Sequence, residues 1–513
     1  MPDRTEYILE LEGICKHFGN LTANDHISFK VRRGSVHAII GENGAGKSTL
    51  MSILTCIKKQ DSGRIIMNGK AVDFHSPKEA SESGIGMVYQ EFMLYKGMTV
   101  AENIIMGCER TDAGFLNMKK NIKKVEEICD SYDFRLPLKS RIDELPVSVL
   151  QQVEIVKVLY REAQLIIFDE PTSVLTPQGV RGLFKAMREL TGKGKTILFI
   201  THKLKEVLEI ADHITVLKDG RVTADMKNEN VSERELAKLM VGREVLYDIR
   251  RKKNRIGREV LLVKNLTMKD RKGILRLKKA SFSVHSGEIV GIAGVAGAGQ
   301  KELGEAIVGI TRPEPGSEIL LCGEPVGHMS IGERRKRGLG YVPQNRIKDG
   351  VNLKGSIWEN TMMGYHLEHG RKQGFLIDFK DVSSFARAVV EDYSVKIQDI
   401  SDRAFELSGG NIQKLIVGRE MLQGKSFLII EDPTRGIDVG AIELIRKKIA
   451  ALSESGVGIL LISHELSEVI QLSDRILVAY DKHIIEPEDS SQLTEEELGL
   501  LMTGGGQDEN KIS

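Results

Sequence analysis

Apolar and polar positions along the chain fall into short, regular blocks. Val36, Ala38, Ile39 and Ile40 make a nearly unbroken apolar run, which predicts a strand buried on both faces. After an intervening loop, Leu50, Met51, Ile53 and Leu54 recur at helical spacing and predict a helix with one apolar face. Strand-like runs at residues 165–168, 196–200 and 214–217 then alternate with helix-like segments, the pattern of an open α/β sheet that binds ligands at its strands' carboxyl ends. Between Glu91 and Arg161 the period turns helical, with Val125, Ile128 and Cys129 on one stripe, which predicts a helical insertion.

The same order of blocks occurs twice. Gly41-Glu42-Asn43-Gly44-Ala45-Gly46 answers to Gly294-Val295-Ala296-Gly297-Ala298-Gly299 at an offset of 253, and Val88-Tyr89-Gln90 to Val342-Pro343-Gln344 at 254. Phe168-Asp169-Glu170-Pro171-Thr172 answers to Ile430-Glu431-Asp432-Pro433-Thr434, and Thr201-His202 to Ser463-His464, both at 262. Repeats of this length are whole domains rather than solenoid units. The expected division is a first domain over residues 1–245, a basic linker over 246–258, a second domain over 259–503 and a disordered tail over 504–513. The run Arg250-Arg251-Lys252-Lys253-Asn254-Arg255 in the linker reads as a solvated tether or as a nucleic-acid contact.

Composition narrows the classes. Lys plus Arg number 73 and Asp plus Glu 72, for a net charge of +1, so no global field attracts nucleic acid or anionic lipid. No apolar run approaches the roughly 20 residues that span a bilayer, and the N-terminus lacks the build of a signal peptide. The five cysteines, Cys15, Cys56, Cys108, Cys129 and Cys322, are isolated and without metal-ligand spacing, which suits a reducing cytoplasm.

The chemistry gathers around Gly41-Glu42-Asn43-Gly44-Ala45-Gly46-Lys47-Ser48-Thr49, which fits the phosphate-binding pattern G-x-x-x-x-G-K-[ST] between a strand and a helix. In such a loop backbone N–H groups wrap phosphates, the lysine adds charge and the serine hydroxyl ligates Mg²⁺. Downstream, an apolar strand ends in Asp169 and Glu170. Asp169 would hold the metal together with Ser48, and Glu170 would polarise an attacking water. Gln90, after another strand, could reach both metal and water, and His202 could contact the γ-phosphate. In the second copy, Leu407, Ser408, Gly409, Gly410 and Asn411 open a helix whose serine hydroxyl, glycine N–H groups and dipole can grip a phosphate.

Phosphate loop, glutamine, helical insert, Leu-Ser-Gly-Gly signature, paired carboxylates and histidine, in that order, resemble the nucleotide-binding domains of ABC transporters, over residues 8 to 503. The resemblance implies two ATP- and Mg²⁺-binding α/β P-loop domains, each with a mainly parallel sheet, an antiparallel β subdomain and a helical insertion. It also implies head-to-tail closure, so that each site joins one domain's loop to the other's signature. Site one then combines residues 41–49, Gln90, Asp169, Glu170 and His202 with residues 407–411. Phe18 stands where the family stacks an aromatic on adenine; an ordinary core phenylalanine is the alternative.

The second site departs from the pattern. Gly294 and Gly299 are kept, but Gln300 replaces the lysine, Lys301 the metal-ligating hydroxyl and Glu302 follows. A slip of one position could return Lys301 to the phosphates. The carboxylates are exchanged to Glu431 and Asp432, and Asp432 is one methylene shorter than Glu170; Gln344 and His464 remain. In the signature that would face this site, Pro146 supplies neither hydroxyl nor N–H, and Val147 and Ser148 obstruct the approach that glycine permits. One hydrolytic and one degenerate site are expected.

Twin domains with Gly297-Ala298-Gly299-Gln300-Lys301 and Pro433-Thr434-Arg435-Gly436 look like the ATPase subunits of bacterial sugar and nucleoside importers. Gln90-Glu91-Phe92-Met93-Leu94 and Leu145-Pro146-Val147 lean to the nucleoside branch, with a sugar such as ribose or galactose as the alternative. The implied partners are two integral membrane permeases and, indirectly, an extracellular solute-binding protein, with no nucleic acid; the implied place is the cytoplasmic face of the membrane. A twin-domain translation or repair factor would carry two intact sites and a basic surface, and a small-molecule kinase has no use for a signature.

Overall fold

The computed structural model describes residues 6–19, 21–89, 92–109, 111–112, 115–172, 175–243, 256–270, 272–295, 297–366, 377–487, 490 and 493–504. The side chains of residues 112, 115, 116, 147 and 148 are outside that description. The chain divides into two compact units, Met1–Val245 and Leu246–Ser513. The basic run 250–255, Gln90, and all but the first residue of the 504–513 tail lie outside the described residues.

In the first unit six strands form one sheet in the order Arg221–Lys227, His213–Lys218, Val36–Gly41, Thr196–Ile200, Leu165–Asp169, Ile85–Val88. All neighbours are parallel except the first pair. Val36–Gly41 and Thr196–Ile200 are buried along their whole length, as a parallel sheet covered on both faces requires. A four-stranded antiparallel sheet, Leu21–Arg32, Tyr7–Phe18, Ser62–Met67, Lys70–Val72, accompanies it. The insertion between the last two parallel-sheet strands supplies helices Val100–Ile105, Met118–Ser131 and Val147–Tyr160, and the predicted stripe Val125, Ile128, Cys129 is buried.

The second unit repeats this plan. Its larger sheet runs Leu339–Val342, Phe427–Glu431, Gly458–Ile462, Ile289–Gly294, Arg475–Tyr480, His483–Ile485, and its antiparallel sheet runs Leu275–His285, Glu259–Lys269, Glu318–Leu321, Glu324–Pro325. Among the described residues no helix is long and apolar enough to cross a membrane.

A histidine lies inside the first sheet. His37, fully buried in the central strand, stacks between Phe29 and His213 at ring distances of 5.4 and 4.9 Å. Its Nε2 lies 2.7 Å from the Thr215 hydroxyl, which donates to Asp225 at 2.7 Å, while Nδ1 has no partner. Burial, with the charge of His213 acting the same way and Asp225 opposing, takes the imidazole pKa down to about 3. In the unfolded chain the ring takes a proton near pH 6.5, so between about pH 6.5 and 3 unfolding binds the extra proton. The first unit is therefore expected to lose stability as pH falls through that window, with His37 contributing up to about 1.4 kcal/mol per pH unit. Calorimetric unfolding at pH 7 and pH 5.5 checks this: His37→Leu should flatten the dependence, and an unchanged slope counts against it. Trp358, the single tryptophan, identifies the second unit's transition by fluorescence.

Candidate functional site

Register brings the predicted residues of the first copy to one edge of the sheet. Ile200 pairs with both Ile39 and Asp169, and Leu217 pairs with Gly41, so Gly41, Asp169-Glu170 and Thr201-His202 emerge together at the strands' carboxyl ends. Gly44 and Gly46 adopt φ of +89° and +95°, where glycine is favoured. At Gly46 space is closed as well: a Cβ would sit 2.2 Å from the Ala23 carbonyl oxygen, whereas at Gly44 nothing lies within 4 Å. The buried Asn24 donates from Nδ2 to the Gly46 carbonyl at 3.1 Å.

The helix Lys47–Leu54 begins directly after this loop. Lys47 is buried, and its ammonium donates to the carbonyls of Gly41 at 2.5 Å and Glu42 at 3.0 Å. Burial draws its pKa below the ordinary lysine range, against the carboxylates of Glu170, Asp169 and Glu42. Ser48 is exposed at the helix start. A tight glycine loop, a lysine bridging it and a free helix N-terminus fit the phosphates of a nucleotide.

The two carboxylates have different environments. Asp169 is pushed up to about 6 by burial and by the neighbouring Glu170, with Lys47 opposing. Burial also acts to raise Glu170, but the hydrogen bond and charge of His202, helped by Lys47 and Lys203, outweigh it and hold the carboxyl below its usual range. His202 Nδ1 lies 3.0 Å from Glu170 Oε1, so the histidine is an orienting partner of the carboxylate. Glu170 has φ of +45°, a left-handed backbone that residues other than glycine seldom adopt. Phe18 is 39% exposed, with the Lys58 ammonium 4.4 Å from its ring centroid; that excludes the core alternative and leaves an aromatic face accessible.

In the second copy the backbone is the same and the side chains differ. Gly297, Gly299 and Asp432 have φ of +87°, +109° and +44°. The helix Gln300–Val308 starts in the register of Lys47–Leu54, so the one-position slip does not occur. Gln300 is buried in the lysine position, and Lys301 is exposed with its ammonium 3.7 Å from Glu305. Glu431 turns towards Gly304, where a Cβ would stand 2.2 Å from its Oε1. Its Oε2 accepts from the Gln344 N–H at 3.2 Å, and burial, with Asp432 and Glu305 adding, pushes it up to about 7. Met51 holds the position of Gly304 in the first copy, so the longer carboxylate and the missing side chain are exchanged together. Asp432 reaches His464 Nδ1 at 2.9 Å and accepts from Gln344 Nε2 at 3.0 Å; the missing methylene does not break the histidine pairing.

The two signatures cap their helices differently. Ser408 accepts from the Asn411 N–H at the start of Gly409–Met421, whereas Pro146 opens Val147–Tyr160 with no side-chain cap. The side chains of Val147 and Ser148 fall outside the described residues.

Several supporting residues escape a motif search. Glu206 is buried and accepts from Thr172 at 2.8 Å and Thr201 at 3.3 Å; Glu468 accepts from Ser463 at 2.8 Å. The signal was available, since a glutamate follows each histidine by four positions in both copies. Asn24 carries no such signal. Cys15 Sγ, an Asp25 oxygen and a ring nitrogen of His26 lie within 4.8 Å of one another, a proximity that spacing did not suggest, and Asp25 is already held by Arg221 at 2.6 Å.

Comparison with known proteins places both copies in one family. The family model described as "ABC transporter" matches residues 24–173 and 277–435, one stretch in each copy. The chain is 41% identical to the guanosine import ATP-binding protein NupO of Bacillus subtilis (strain 168), covering 98% of this chain and 99% of that protein. It is 40% identical to the nucleoside import ATP-binding protein NupA of Lactococcus lactis subsp. cremoris, over 98% and 99%. It is also 40% identical to the glucose import ATP-binding protein TsgD13 of Haloferax volcanii, over 98% and 96%.

The closed contact at Gly46 gives a direct test of the loop. Gly46→Ala is expected to cost the first unit about 2 kcal/mol or more, from strained φ plus the clash with Ala23, and Gly44→Ala about 1 kcal/mol from φ alone. Calorimetric unfolding distinguishes them, and equal losses would contradict the packing described.

Proposed function

The chain belongs to the ABC transporter family and is an ATPase subunit of an importer, and we propose that its productive hydrolysis runs through the first phosphate loop to drive uptake of a nucleoside. The observation that carries this is the contrast between two copies of one backbone: Lys47, Ser48, Asp169 and Glu170 in one, Gln300, Lys301, Glu431 and Asp432 in the other.

Residues 41–49 would hold the ATP phosphates, Phe18 the adenine, and Ser48, Asp169 and Gln90 the Mg²⁺. Bound MgATP supplies the scissile anhydride and a cation that spreads phosphate charge. The chain's own part is positional. Lys47 can exchange its two carbonyl contacts for phosphate oxygens, and Glu170, aimed by His202, would accept the proton of the attacking water. The signature at residues 407–411 would complete this site. In the second copy Gln300 adds no charge to the cradle, Lys301 stands where a cation would have to bind, and Glu431 is drawn off over Gly304. That copy serves as a signature donor, with a weak or purely structural nucleotide site of its own.

The partners in this reading are two integral membrane permeases and, beyond them, an extracellular solute-binding protein, with this subunit on the cytoplasmic face. A groove of about 440 Å³ in the first unit, lined by Ile57, Met87, Tyr89, Met93, Tyr95 and Met106, suits an apolar permease segment. Met93 and Tyr95 are 56% and 61% exposed at its rim. Identity does not separate nucleoside from sugar, since the guanosine, nucleoside and glucose relatives stand at 41, 40 and 40%. The preference rests on Gln90-Glu91-Phe92-Met93-Leu94 and Leu145-Pro146-Val147.

Glu170→Gln is expected to lower kcat for ATP by about 10²-fold or more while nucleotide binding is kept. Single-turnover hydrolysis with labelled ATP measures it, and activity within a few fold of wild type refutes the one-site reading. With permeases and binding protein in proteoliposomes, guanosine should stimulate the ATPase and glucose should not; the reverse pattern overturns the nucleoside assignment.

A further inference from the structure

Arg346 belongs to no motif discussed above, and its surroundings are unusual for an arginine. It opens a single wide turn, Arg346–Gly350, immediately after Gln344 and Asn345. Its guanidinium fits between two glycines. A Cβ at Gly409, in the signature, would lie 2.6 Å from Nη2, and a Cβ at Gly436 would lie 3.3 Å from both Nη1 and Nη2. Nη1 donates to the carbonyl of Arg435 at 3.0 Å. Burial, with the nearby charge of Arg435 acting the same way, lowers its pKa.

The rest of the turn rests on the same helix that the signature opens. A Cβ at Gly350 would meet Ile416 at 2.6 Å, and Arg419 Nη1 donates to the Gly350 carbonyl at 3.0 Å; both partners lie on Gly409–Met421. The turn therefore grips that helix at two levels, with Arg346 at its first turn. On its other side Arg346 reaches residues 435 and 436, just beyond the carboxylates Glu431 and Asp432. Three loops of the second unit, after the glutamine, at the signature and after the carboxylates, converge on one guanidinium.

The first copy shows what accompanies this arrangement. At the offsets of 254 and 262 set by the repeat, Arg346, Gly409 and Gly436 correspond to Phe92, Val147 and Val174. All three positions change together. Valine at either glycine position would stand in the space the guanidinium occupies, and the arginine occurs in the copy whose signature is intact.

We infer that Arg346 is a positioning residue that braces the signature turn 407–410 against residues 435–436 and so presents Ser408 and the glycine N–H groups in the geometry that hydrolysis requires. A planar guanidinium suits the task because it fills a slot between two backbones while donating in its own plane. This inference rests on the reading that the second unit's signature serves the nucleotide held by the first loop. Because that nucleotide binds first through residues 41–49, loss of the brace falls on kcat and leaves KM nearly unmoved.

The experiment measures steady-state ATPase kcat and KM for the full-length chain with its permeases, in wild type, Ser408→Ala, Arg346→Ala, Arg346→Lys and the double variant Ser408→Ala/Arg346→Ala. Trp358 fluorescence unfolding monitors the fold of the second unit. Expected are a fall in kcat of about tenfold or more for Arg346→Ala with KM within about twofold, partial rescue by Arg346→Lys, and a double variant no worse than Ser408→Ala alone. Wild-type kcat in Arg346→Ala beside an impaired Ser408→Ala overturns the brace and leaves the pairing reading standing, as does full multiplication of the two effects. Wild-type kcat in Ser408→Ala instead overturns the pairing reading, and the inference with it. If Arg346→Ala does not fold, Arg346→Lys decides: a severalfold lower kcat at unchanged KM supports the brace, and wild-type kcat refutes it.

Discussion

The hydrogen bond between His202 and Glu170 exists only because two neighbouring parallel strands end at the same level. Ile200 faces Asp169, so the next residues on each strand leave the sheet side by side, and the loop after Gly41 leaves it on the other flank of Thr196–Ile200. A one-residue slip of Leu165–Asp169 against Thr196–Ile200 would turn Asp169 to the opposite face and dissolve the site, because side chains alternate along a strand. The buried apolar runs that fix this register also carry the polar groups at their ends. Stability of the core and geometry of the site are thus the same constraint.

The duplication separates what that constraint supplies from what side chains supply. Both units keep the strand order, the left-handed glycines and the left-handed carboxylate at positions 170 and 432. Backbone strain at Asp432 is held in place by the Asp432 N–H donating to the Ile462 carbonyl, as the Glu170 N–H donates to Ile200. The polar ends are where the copies part. Lys47 carries a charge across its loop to the carbonyls of Gly41 and Glu42; Gln300 reaches the matching Gly294, where a Cβ would stand 2.4 Å from its Nε2, without a charge, and Lys301 turns to Glu305.

Much of this was legible in the sequence because it depends on local pattern. The strand from Val36 to Gly41, the helix after it and the carboxylates after residue 168 follow from apolar runs and glycine spacing, and the repeat follows from self-comparison. What escaped depends on contacts between distant segments. Asn24 meets Gly46, and Arg346 meets Gly409 and Gly436, through folding that no window of sequence contains. The alternative placing of Lys301 was open on sequence alone; the helix start at Gln300 closes it. Phe18 could be assigned to surface or core only once its exposure was known.

The exchange of Met51 and Asp169 for Gly304 and Glu431 also bears on history. Restoring aspartate at 431 alone would leave a void over Gly304, and restoring methionine at 304 alone would drive a side chain into the buried carboxylate. Each single step back passes through a less stable protein, so the pair behaves as an epistatic latch. On the function proposed above, that coupling holds the second unit's loop in its altered form, because no single substitution at either position returns it to the arrangement of the first.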